Sequence, residues 1–129
     1  VTNSITLVVG YSRELLMKSA MGTASMTGTT NCYHTIIPYI IDVYRRIVDK
    51  TKAIRKINIS CNHLIEEAYE QYDLFTDPIA REKERNIQRA TIEIKRKYGR
   101  NALLRGMDLQ SAATTIERNR QIGGHKSGD

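Results

Sequence analysis

Apolar and polar positions alternate from Ser4 to Tyr11, with Ile5, Leu7, Val9 and Tyr11 on one side and Ser4, Thr6, Val8 and Gly10 on the other. A period of two predicts a β-strand with one buried face. A second alternation runs from Met17 to Met26, setting Ser19, Met21, Thr23 and Ser25 against Ala20, Gly22, Ala24 and Met26. Gly22 and its small neighbours would leave that strand flat on one face, so that another backbone could approach closely. The connector from Ser12 to Leu16 suits a hairpin. The period then changes. Ile36, Ile40, Val43, Tyr44, Ile47 and Val48 recur at helical spacing, opposite Asp42, Arg45, Arg46 and Asp49. Thr29, Thr30 and Asn31 are candidate N-caps. Pro38 is tolerated only near a first turn, which places the stable helix at about Pro38 to Lys50. Ile54 to Leu64 predicts a third strand, with Ile57, Ile59 and Cys61 facing the core and Lys56, Asn58 and Ser60 facing away.

Beyond this point the pattern thins. Glu66, Glu67, Glu70, Asp73 and Asp77 make the next stretch acidic, and Pro78 ends it. Within it stand Leu74 and Phe75, the one phenylalanine of the chain. An adjacent apolar pair in an acidic connector either tucks back onto the domain or serves as an anchor for another protein's pocket. Ile79 to Tyr98 predicts a long helix whose apolar stripe (Ile87, Ala90, Thr91, Ile94, Tyr98) is narrow, with Gly99 as its stop. A helix this sparse and charged either stands free of a core or forms only transiently. Met107 to Arg118 suits a short helix, and the Gly-rich polar end, Gln121 to Asp129, is expected to be mobile.

Composition adds a charge asymmetry. The 129 residues carry a net charge of +6. Residues 1–78 hold eight Lys/Arg and eight Asp/Glu, whereas residues 79–129 hold twelve against six. A basic half favours a polyanion, most simply nucleic acid, although a solvated helix face rich in ion pairs has the same count. Cys32 and Cys61 stand alone and His34, His63 and His125 are scattered, so no metal-ligand spacing occurs and a reducing, cytoplasmic setting is the default. No apolar run approaches the roughly 20 residues of a membrane span. Neither GxxxxGK nor GxGxxG is present, and no carboxylate pair stands at a strand end to hold Mg²⁺. The chain therefore reads as a binding module without an active site or cofactor of its own.

Two resemblances sharpen this. Gln71-Tyr72-Asp73-Leu74-Phe75 resembles the bacterial sliding-clamp-binding motif Gln-Leu-(Ser or Asp)-Leu-Phe, with Tyr72 in place of the usual Leu. The order strand, small-residue strand, helix, strand and then this pentamer resembles the C-terminal part of a Y-family translesion DNA polymerase. The segments that carry it are Thr6 to Ser12, similar to the second strand of the family's little finger, and Ile54 to Ser60, similar to its last strand. Lys97 to Gly106, Thr114 to Asn119 and Gln121 to Lys126 are similar to the tail of UmuC-type UV-damage-repair polymerases of Gram-positive bacteria and their phages.

The resemblance implies an α+β fold, an antiparallel sheet with helices on one face, without the little finger's first strand and helix and followed by a helical tail. It implies a partial little-finger domain over residues 1–65, a connector with the clamp motif over 66–78, and a basic helical tail over 79–129. The implied function is sequence-independent binding of the DNA backbone and of the sliding clamp, in translesion synthesis and the SOS response. Catalysis would belong to the missing palm of a parent polymerase, which would use Mg²⁺. Ser12, Arg13 and Lys18 at the first hairpin, with Arg55 and Lys56 on the last strand, are the candidate DNA contacts, and Gln71 to Phe75 the candidate clamp contacts. A partial sheet is also expected to self-associate as a homodimer. The alternative is a non-polymerase module that docks on nucleic acid or protein through the basic helix from Arg81 to Lys97.

Overall fold

The structure, a computed structural model, describes residues 1–67 and 77–121. It divides into two compact units, Val1–Pro78 and Ile79–Asp129. The pentamer Gln71 to Phe75 and residues 122–126 of the tail lie outside the described residues.

The first unit runs β1 (Thr2–Tyr11), β2 (Ala20–Thr30), α1 (Tyr33–Ile47) and β3 (Ile54–Asn62). The sheet is antiparallel in the order β2-β1-β3, so the most apolar strand is central. Alternation along β1 buries Ile5, Leu7 and Val9 almost completely and Tyr11 nearly so. With Met26 and Val43 the first three form the core, against which Ile36, Ile40, Tyr44 and Ile47 of α1 pack. Gly22 lies beneath that helix. A Cβ there would stand 2.8 Å from Ile47 Cγ2 and 2.9 Å from Val43 Cγ1, so the backbone that the flat face admits is α1 itself.

Three expectations are corrected. α1 begins at Tyr33, five residues before Pro38, and ends at Ile47 rather than Lys50. Its start is fixed by buried Cys32, whose N–H donates to Thr30 Oγ1 at 3.0 Å. Pro38 is exposed, so solvent can reach the carbonyl one turn back that its nitrogen cannot serve. Ile57, Ile59 and Cys61 pair with Val9, Leu7 and Ile5, which puts them on the helix-bearing side as expected, yet they are not core. Both isoleucines remain 51% exposed, because α1 packs over β2 and β1 and leaves the β3 side uncovered. β3 also stops at Asn62, where His63 turns into positive φ, two residues short of Leu64.

The second unit holds α2 (Pro78–Tyr98) and α3 (Thr115–Asn119). Gly99, at φ +99°, closes α2 by donating its N–H to the Lys95 carbonyl at 3.0 Å. Polar bonds fold the segment that follows. Asp108 Oδ2 accepts the Arg105 N–H at 2.9 Å, and Oδ1 accepts the Thr115 hydroxyl at 2.8 Å. These two donors, the Arg105 N–H foremost, hold the Asp108 carboxyl below the usual carboxylate range. Asn119 Nδ2 donates to Asn101 Oδ1 at 2.7 Å, and Asn101 Nδ2 to the Ile116 carbonyl at 3.2 Å. No side chain of α2 or α3 is buried among the described residues.

Candidate nucleic-acid interface

Antiparallel pairing brings the end of β1, the start of β2, the end of α1 and the start of β3 to one end of the sheet. Two bonds fasten them. The Ser12 N–H donates to the Ala53 carbonyl at 2.9 Å, tying the hairpin to the entry of β3. The Asp49 N–H donates to Tyr11 Oη at 2.9 Å, tying the exit of α1 to the end of β1.

All five residues expected to meet DNA lie in this region. The Ser12 N–H is engaged with Ala53, which leaves its hydroxyl for a ligand. Arg13 opens a short 3-10 turn, Arg13–Leu15, and Lys18 lies on the return; both are exposed. Arg55 and Lys56 are exposed at the start of β3. Lys56 pairs with Gly10, and a Cβ added there would meet Lys56 Cβ and Ser19 Oγ at ordinary contact distance.

The structure adds residues that the linear pattern did not single out. Lys50 and Lys52 are exposed in the turn between α1 and β3, and Arg45 and Arg46 close the last turn of α1. The eight Lys/Arg of this unit thus all fall within 13–18 and 45–56, the segments that meet at this end. Of the three nearby acids, Glu14 is exposed on the hairpin beside Arg13, and the other two are engaged. Asp42 pairs with Arg46 at 3.4 Å. Asp49 Oδ1 accepts from the Thr51 hydroxyl at 2.6 Å and the Thr51 N–H at 3.0 Å, and these bonds, the hydroxyl first, lower its pKa. At the other end the Ile65 N–H donates to the Val1 carbonyl at 3.0 Å, and Asn31 Nδ2 to Glu67 Oε2 at 3.3 Å. Glu66 and Glu67 therefore lie beyond the far end of β3, about 30 Å from the cations at its start, the length of that strand.

Between the ends, the sheet face opposite α1 is mostly polar, with Val8 and exposed Met21 as an apolar pair within it. Thr6 and Thr23 join their hydroxyls at 2.9 Å across β1 and β2, and Asn62 Nδ2 donates to Thr6 Oγ1 at 2.9 Å from β3. This belt offers hydroxyls and amides, while the cations beside it supply the charge that phosphates need. No helix among the described residues is long and apolar enough to cross a membrane.

Comparison with known proteins gives one distant relative, named UV-damage repair protein UvrX, of Bacillus subtilis (strain 168). It is 25% identical over 127 residues, an alignment that covers 98% of this chain and 30% of that protein. The chain thus spans under a third of the relative's length. No family model matches the chain, and no solved structure matches it.

Proposed function

We propose that this chain is the DNA-binding and sliding-clamp-binding part of a Y-family translesion polymerase, with a little-finger-like first unit. The observation that carries the reading is the convergence of every Lys and Arg of the first unit on one end of its sheet. A distant relative named for UV-damage repair, aligned over nearly the whole chain, supports the same setting. Phosphates would be held by Arg13, Lys18, Arg55 and Lys56 with the Ser12 hydroxyl, contacts that position a duplex without reading its sequence. Such tolerance suits an enzyme that must accept any template. Nucleotide transfer and its metal ions belong, in this reading, to the rest of a longer protein.

Within the acidic stretch from Glu66 to Asp77, Gln71-Tyr72-Asp73-Leu74-Phe75 would tether the polymerase to the clamp. Short peptides of this kind bind weakly alone, and tethering beside DNA raises their effective concentration. Binding of the chain to purified bacterial sliding clamp separates this reading from a non-polymerase module built on the basic helix, which has no need of the pentamer. Leu74→Ala and Phe75→Ala should each cost about 2 kcal/mol, as buried anchors commonly do. Equal clamp binding by both variants and the parent chain would falsify the clamp assignment.

A further inference from the structure

At the tip of the β1–β2 hairpin, Leu16 is 95% exposed, the most exposed large apolar side chain among the described residues. Its backbone sits at φ +47°, the left-handed region that a leucine rarely adopts and glycine adopts freely. Its neighbours Leu15 and Met17 are 36% and 41% exposed. Three consecutive apolar residues are thus held in water at the end of a hairpin, on strained backbone, where folding alone would favour glycine or a polar residue. The tip does not hang loose. The Leu15 N–H donates to the Ser12 carbonyl at 3.1 Å and the Leu16 N–H to the Arg13 carbonyl at 3.3 Å, while Ser12 is bonded to Ala53.

We propose that Leu15 to Met17, with Leu16 foremost, is an apolar wedge that seats against unstacked bases of DNA, as at a junction between double and single strand. The inference rests on the DNA-binding reading and adds to it the part of the nucleic acid that this end touches. Charge complementarity selects the occupant. Arg13 and Lys18 flank the tip in sequence, with the single acid Glu14 between Arg13 and Leu15, and Lys50, Lys52, Arg55 and Lys56 belong to the same end of the sheet, so cations outnumber acids there. A polyanion is drawn to that setting, and of its parts only bases and sugars offer apolar surface. Leu and Met side chains are used elsewhere as wedges between base steps, with phosphates gripped by the cations around them.

The two kinds of contact respond differently to salt. Phosphate contacts release counterions and set the slope of affinity against salt, whereas an apolar contact shifts affinity equally at every salt concentration. The experiment titrates the full chain, Leu16→Gly and the double variant Arg13→Ala/Lys18→Ala against a labelled primer–template junction and a blunt duplex over a range of salt. Leu16→Gly should weaken junction binding about tenfold at all salts with the slope unchanged, and barely alter duplex binding. The double variant should flatten the slope by about one for each residue removed. Urea unfolding serves as the control. Glycine suits φ +47°, so Leu16→Gly should be at least as stable as the parent while binding the junction less well.

If Leu16→Gly binds both DNAs as the parent does, the wedge is wrong while the DNA reading stands. If the parent binds neither DNA in a salt-dependent manner, both readings fall. Loss of self-association, clamp binding or anionic-vesicle binding in Leu16→Gly, with DNA binding untouched, would reassign the tip to a protein or lipid contact and overturn the proposal.

Discussion

Gly22 shows how one residue sets the distance between two layers. Its missing side chain lets Val43 and Ile47 of α1 come down onto β2, closer than any Cβ would allow. Both neighbours are β-branched and stiff near the backbone, so they cannot swing aside as a long flexible chain would. Gly22→Ala should therefore push α1 off the sheet and lower stability by about 1–3 kcal/mol, the usual cost of overpacking a fitted core. Urea unfolding measures it, and an unchanged midpoint would mean that the helix is free to move there. The sequence indicated a close approach at Gly22. That α1 makes the approach became visible only with the helix in place. Leu16 is the opposite case. A hairpin connector with leucines reads as ordinary, and neither full exposure nor a positive φ can be inferred from residue type.

At the scale of elements, what could be read from the chain was what has a period. The alternation from Ser4 to Tyr11, the helical recurrence from Ile36 to Val48 and the long basic helix each correspond to an observed element. What was missed depends on neighbours distant in sequence. Alternation along β3 fixes which way Ile57 and Ile59 point, but not whether anything lies above them, and α1 lies over the other two strands. Likewise Lys50 and Lys52 read as the end of a helix and a loop, and join the interface only because β3 pairs with β1. β3 is an edge strand with a half-exposed apolar face, and such an uncovered strand tends to recruit another. Replacing Ile57 and Ile59 together by Thr should cost the single chain under about 1 kcal/mol, because no core is disturbed. It should also abolish the self-association expected of the parent at micromolar concentration. Light scattering on both chains tests this, and a strictly monomeric parent would show that β3 needs no cover.

For the whole molecule, the distribution of charge matters more than the total. The first unit is neutral over residues 1–78, yet its cations gather at one end, while Glu66 and Glu67 lie at the other. A cluster of cations at one end of a neutral body favours approach to a polyanion with that end first. In the second unit the excess of twelve Lys/Arg over six Asp/Glu adds a further attraction for a polyanion. Sequence-independent binding of DNA is tested most directly by titration of the full chain against duplexes of unrelated sequence at several salt concentrations. Affinities should agree among the duplexes and fall together, by about a thousandfold between about 50 and 200 mM salt if about six phosphates are contacted. A preference of about a hundredfold for one sequence, or binding indifferent to salt, would contradict it.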